Sequence, residues 1–285
     1  MTPFDDRPCK LGEGPLWHPE RQQLFWFDII TKRLLTRDEA GPAEWQFDEH
    51  VSAAGWIDAD RLFIASASGL LTFDIGTGAQ TLVTLLEADN PVTRSNDGRA
   101  DPWGGFWIGT MGVHAELDAG AIYRYYRGEL RRLHTQISIP NSICFSPDRR
   151  FAYFSDTITQ IVQRQQLDPQ NGWPTGAPAP WLDLRAENLN PDGAVVDAEG
   201  GIWIAQWGAS RVARYDNMGR FVQAVAVPGE QASCPAFGGP DLTTLYCTSA
   251  YVGLGRERRA AEAQHGMTFS VPGIGPGQAE PRVRL

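Results

Sequence analysis

Four oxygen-bearing side chains fall at matching points of a repeated pattern: Glu13 in LGEGPLW, Asn96 in SNDGRAD, Asn141 in IPNSICFS and Asp192 in NPDGAVVD. Each lies 10 or 11 residues before a reference position in a short aromatic and β-branched run. Glu13, Asn141 and Asp192 offer two carboxylates and an amide oxygen, hard donors that suit Ca²⁺, Mg²⁺ or Mn²⁺ better than a soft metal. Three protein ligands leave positions for water and substrate, as a catalytic metal requires. Turn chemistry is a plainer account of the Asn and Asp positions, because Pro-Asn and Asp-Gly are ordinary turn pairs. Glu13 does not fit that account. Glutamate is not a turn former, and here it stands between two glycines, where backbone can fold closely around it.

Residues this far apart meet only if the chain repeats around an axis. The sequence reads as mostly β, with a recurring unit of strand, polar turn and second strand. The copies are WHPERQQLFWFD, WIDADRLFIAS, RADPWGGFWIGT, FSPDRRFAYFSD, VDAEGGIWIAQ and FGGPDLTTLYCTS. With Leu24, Leu62, Phe106, Ala152, Ile202 and Leu245 as equivalents, the spacings are 38, 44, 46, 50 and 43 residues. That period, with three to four strands per copy, predicts an all-β, six-bladed β-propeller forming a single domain over residues 1–285. A pair of β-sandwich domains would leave the period unexplained. Equivalent positions of a propeller ring one mouth of its channel, at the entry to each innermost strand. In the second and sixth copies that place holds Val51 or Ser52, and Cys234 or Pro235. Only residues 256–264 (RERRAAEAQ) carry a helical pattern.

Composition narrows the partners. A net charge of −9 argues against nucleic acid or an anionic membrane surface. No apolar run approaches the roughly 18 residues that span a bilayer, and the first residues lack a basic-then-apolar signal pattern. A cytoplasmic protein is expected. Cys9, Cys144, Cys234 and Cys247 are scattered, which predicts buried thiols in a reducing compartment. Oligomeric state is not readable.

The segments EGPLW (13–17), RSNDGRADPWGGFWIGTMG (94–112), PNSICFSPD (140–148), PDGAVVDAEGGIWIA (191–205) and FGGPDLTTLYCTSA (237–250) resemble the SMP-30/gluconolactonase/LRE family, in the family's own order. The resemblance covers nearly the whole chain. It implies a six-bladed propeller with one divalent ion at the top of the channel, and hydrolysis of a small sugar-acid lactone. It implies Glu13, Asn141 and Asp192 as metal ligands, Arg94 and Asn96 as substrate contacts, and Asp192 as the general base. Ca²⁺ is the first expectation for the ion, with Zn²⁺, Mn²⁺, Mg²⁺ and Fe²⁺ also accepted in the family. Whether Asp192 or a hydroxide on the metal delivers the attack stays open. A phosphotriesterase-like hydrolase and a non-enzymatic calcium-binding regulatory protein are the alternatives.

Two departures limit what the resemblance carries. The amide ligand is usually followed by Gly, and here Ser142 follows, so the loop is expected to differ slightly. Where regucalcin-like members place a substrate-contacting Glu, this chain has His114, with Glu116 and Asp118 nearby to take over the contact. His18 is placed in the blade turn WHPE, and it, His50, His134 and His265 are all read as structural or surface residues. The tryptophans are read as blade packing, with Trp207 a candidate for the pocket mouth.

Overall fold

All six residues of the strand Gln23–Asp28 (QLFWFD) are buried, which requires cover on both faces. Side-chain alternation supplies it. Phe25 and Phe27 pack into one apolar cluster with Val51, Leu62 and Ile64, whereas Leu24 and Trp26 pack into another with Tyr246 and Phe4. Among the described residues six such clusters exist, each between two neighbouring sheets. The core is therefore a ring of inter-blade layers.

The computed structural model describes residues 1–261 and 263–285. It contains six four-stranded antiparallel sheets, the blades of a six-bladed β-propeller. The innermost strands of blades 1 to 6 are, in order, Gly12–His18, Val51–Asp58, Thr93–Ala100, Pro140–Phe145, Asn190–Val196 and Gln231–Gly238. The six reference residues all lie in the second strands, as the period predicts. Blade 6 takes its outer strand from the other end of the chain: Thr2–Asp5 pairs antiparallel with Thr268–Val271. The ring is thus closed by backbone hydrogen bonds rather than by a loop.

The repeated Asp-x-x-x-Gly of ADPWGG and VDAEGG is a turn lock. Asp101 Oδ1 accepts from the amides of Trp103 and Gly105, and Asp197 Oδ1 from those of Glu199 and Gly201. The second carboxylate oxygen of each holds an arginine on the third strand, Arg124 and Arg214, at 2.7 Å. These motifs therefore shape the blade turn.

The sequence reading gave no role to residues 272–285, which cross the end of the channel opposite the four polar side chains. Ala198 N donates to Pro276 O, Trp56 Nε1 to Glu280 O, Val283 N to Trp56 O and Arg284 N to Gly104 O. The segment so ties blades 5, 2 and 3 together. Beneath it Arg99 donates to Ile143 O at 3.3 Å and Ala194 O at 3.1 Å and forms an ion pair with Glu280.

The helix lies at Arg256–Ala261, inside the expected stretch, of which residue 262 lies outside the described residues. All four cysteines are free and buried. Among the described residues no helix is long and apolar enough to cross a membrane. His18 is not a turn residue. It ends the inner strand of blade 1, is fully buried, and its Nε2 sits 2.9 Å from Asp58 O, because the strand runs further than the Pro19 signal indicated.

Candidate active site

Every innermost strand breaks its ladder with a β-bulge near its start. In blades 1 and 4 the last paired residues before it are Glu13, opposite Phe27, and Asn141, opposite Ser155. In blades 3 and 5 pairing stops one residue earlier, at Ser95 and Pro191, so that Asn96 and Asp192 lie within the bulge. The sequence counts of 11 for the first two and 10 for the others reflect this split. In a regular strand neighbouring positions face opposite sides. The extra residue re-aims the chain locally, and all four side chains line one cavity of about 420 Å³, together with Arg94.

The bulge sets strict local demands. Gly14 has φ 53°, and a Cβ there would lie 2.3 Å from Ser52 O. Ser142, the matching residue of blade 4, has φ 59°. It therefore takes the left-handed conformation that glycine reaches more easily. Its hydroxyl donates to Asp192 O at 2.6 Å and accepts from Ser155 Oγ at 3.1 Å. The substitution keeps the glycine-like backbone and adds a link between blades 4 and 5, beside the Asp192 carboxylate.

Hydrogen bonds fix the amides. Asn141 Nδ2 donates to Thr157 Oγ1 at 2.8 Å, and Thr157 Oγ1 donates to Pro191 O at 2.8 Å. Asn141 Oδ1 is left as the acceptor, 3.3 Å from Asn96 Nδ2. Asn96 Nδ2 also donates to Pro140 O, while its Oδ1 accepts from Arg94 Nη1 at 2.9 Å. Arg94 Nη1 reaches Ser95 O as well, and its buried Nε has no hydrogen-bond partner among the described residues.

The carboxylates are far less provided for. Glu13 is buried and accepts one hydrogen bond, from the Gly14 amide. Burial first, and then the charge of Asp97, push Glu13 up to about 8 against the pull of Gly14 N–H and Arg94. Burial, Glu13 and Asp97 together hold Asp192 well above the carboxylate range. Asp97 itself is pushed to about 6 by burial, although its Oδ2 accepts from Ile143 N at 2.7 Å. Burial lowers Arg94 to about 10. Glu13 and Asp192 thus meet the charge of Asp97 behind the floor as well as each other's, with Arg94 acting on Glu13 and Arg99 on Asp97, and like charges at close range oppose ionisation. A divalent cation fits this donor set, with Glu13, Asp192 and the oriented Asn141 Oδ1 as oxygen donors. Among the described residues no group of three or more His, Cys, Asp or Glu is arranged to hold a metal ion, so such a site would need the amide.

Asp97 and Thr157 escaped the sequence reading. Asp97 stands next to Asn96 in an Asp-Gly pair that reads as a turn, and only the bulge places it under the carboxylates. Thr157 lies in a short 3₁₀ turn, Thr157–Thr159, that no periodicity marks. His114 is exposed at the rim of the cavity. Glu116 accepts from the His114 amide at 3.0 Å, and neither Glu116 nor Asp118 lines the cavity, so neither stands in for the missing glutamate. Trp207 does line it.

The raised Glu13 has a measurable consequence. A carboxyl whose folded pKa lies above its ordinary value of 4.5 binds more protons in the folded than in the unfolded state between pH 4.5 and about 8. Stability then falls as pH rises through that window. In chelator, the melting temperature should drop by several degrees from pH 5 to pH 8.5, and by clearly less in Glu13→Gln. Matching pH profiles for the two proteins would contradict the assignment.

The SMP-30/gluconolactonase/LRE-like family model matches residues 11–251. The chain belongs to this family. A Rhizobium meliloti protein provisionally named a sugar lactone lactonase is 40% identical over 100% of this chain and 99% of its own. A 6-deoxy-6-sulfogluconolactonase of Pseudomonas putida is 33% identical, over 96% of this chain and 95% of its own. The crystal structure of a regucalcin from Agrobacterium tumefaciens, described as a calcium-binding protein, superposes with a TM-score of 0.97 at 42% identity, over 99% of this chain and 97% of that one.

Proposed function

We propose that this member of the family is a lactonase that opens a sugar-acid lactone to the free acid, with one divalent ion held by Glu13, Asn141 and Asp192. The observation that carries the reading is the pair of buried, poorly compensated carboxyl groups beside an amide whose nitrogen is already committed, at the floor of an open cavity. The lactonase relatives at 33–40% identity support the reaction class, and the regucalcin structure supports calcium as the ion. When bound, the ion would polarise the lactone carbonyl and acidify a water molecule.

The chain's own residues supply the rest. Asp192 takes a proton from the attacking water as its oxygen bonds to the carbonyl carbon. The ring C–O bond then breaks, and the departing ring oxygen takes the proton back from Asp192. Arg94 and Asn96 form one hydrogen-bonded unit that places the hydroxyls near the carbonyl, with His114 at the rim as a further contact. The Thr157 link keeps Asn141 Oδ1 turned to the floor.

The deciding experiment is a panel of xylono-, arabino-, galactono- and gluconolactone, assayed on chelated protein reloaded with single divalent ions. Hydrolysis restored by an ion supports the proposal. Stoichiometric ion binding without turnover of any lactone would overturn it in favour of a calcium-binding role. In Arg94→Ala, KM should rise by about tenfold or more with a smaller change in kcat, because the residue positions substrate. An equal loss in kcat with KM unchanged would instead place Arg94 in the transition state.

A further inference from the structure

The cavity has two tiers of opposite character. Its floor comes from the innermost strands and is polar throughout: Glu13, Arg94, Asn96, Asn141 and Asp192. Its walls come mostly from segments at or beyond the ends of the second strands, nearer the mouth, and are largely apolar. Ile30 follows the second strand of blade 1, Val113 that of blade 3 and Ile158 that of blade 4, while Trp207 ends that of blade 5. Met111 and Ile139 complete this collar. Thr157, a polar group at this level, has its hydroxyl engaged both as donor and as acceptor. Asn190 has its carbonyl oxygen occupied by Gln160 Nε2 at 3.0 Å.

Building on the lactonase reading, we infer that the site selects lactones whose far end is apolar, such as 6-deoxyhexonolactones, over the same sugars with a terminal hydroxyl. The floor has donors and acceptors for the carbonyl, the ring oxygen and the hydroxyls beside them. A lactone whose carbonyl reaches the floor places its exocyclic chain, which ends at C6, in the collar. A methyl group there meets Ile, Val, Met and Trp side chains. A hydroxyl there gives up water and finds few partners, which a buried polar group tolerates poorly. His114 lines the same cavity from its exposed rim and, with Thr157 and Asn190, is the polar exception in an otherwise apolar wall.

Two matched pairs test this without changing stereochemistry: L-fucono- against L-galactono-1,4-lactone, and L-rhamnono- against L-mannono-1,4-lactone. The deoxy member of each pair should have a kcat/KM higher by about ten- to a hundredfold, the range that one added hydroxyl is worth in an apolar pocket, and chiefly through KM. Ile158→Asn supplies a polar partner at a site that is 49% exposed, where the fold is not at stake. It should narrow the ratio at least threefold. Hydrolysis of both members with the hydroxylated one equal or better overturns the inference while leaving the lactonase reading standing, as does a ratio unmoved by Ile158→Asn. Hydrolysis of no lactone under any ion removes the lactonase reading, and the inference with it.

Discussion

Asp192→Asn should lower kcat for aldonolactone hydrolysis by about a thousandfold, in the range set by losing a positioned general base. The same change should raise the melting temperature of the chelated protein at pH 8. It replaces a buried carboxyl, held above its ordinary range by Glu13 and Asp97, with a neutral group of the same shape. Activity and stability thus move in opposite directions, which a merely structural residue would not show. The ion should bind more weakly as well, since an amide oxygen replaces a carboxylate. Near-normal kcat with the ion retained would remove Asp192 from both roles. Titrating ion into the two proteins while following turnover and thermal melting separates these outcomes.

Glu280→Ala should have the largest effect on folding. Arg99, its side chain 11% exposed, lies against the carbonyls of Ile143 and Ala194, and Glu280, 7% exposed, is the carboxylate that balances it. Removing one partner of a buried ion pair leaves an uncompensated charge and costs about 3–5 kcal/mol. For a chain of this size that corresponds to a drop of roughly 10 °C in melting temperature. The double change Arg99→Met with Glu280→Leu should recover most of the loss, because no charge is then left behind. A melting temperature within about 2 °C of the parent for Glu280→Ala would show that the tail segment does not hold the channel end.

Much of the fold was legible because the period is carried by residues that packing requires. The paired aromatic and β-branched positions of the second strands are buried on both faces, so each blade must repeat them, and the blade count follows. The ring of Glu13, Asn96, Asn141 and Asp192 was legible for the same reason, to within one residue. The remaining residue of offset is the bulge, a backbone feature that leaves only a one-residue change in spacing, so the pair Glu13 and Asn141 looked equivalent to the pair Asn96 and Asp192 when the two pairs occupy different bulge positions. Asp97 was hidden because Asp-Gly in a strand entry looks the same whether its carboxylate faces solvent or the channel. The tail over residues 272–285 was hidden because its contacts reach blades 2, 3 and 5, and nothing in a Gly-Pro-rich stretch names its partners. Ser142 shows the converse: the departure from glycine was visible, but the hydroxyl bond to Asp192 O that accompanies the strained backbone was not.

The pairing of Thr2–Asp5 with Thr268–Val271 bears on when the protein acquires its chemistry. A chain emerging from the ribosome can form each hairpin as it appears, but the last blade waits for a strand made first. Contacts of such sequence separation form late and slowly. Glu13 and Asp192 meet across the channel only when the circle is complete, so an incomplete chain would offer an ion no more than separate, weak donors. Capture of the ion should therefore trail ring closure, and refolding in excess calcium should proceed no faster than refolding in chelator, with the ion changing only how rarely the finished ring reopens.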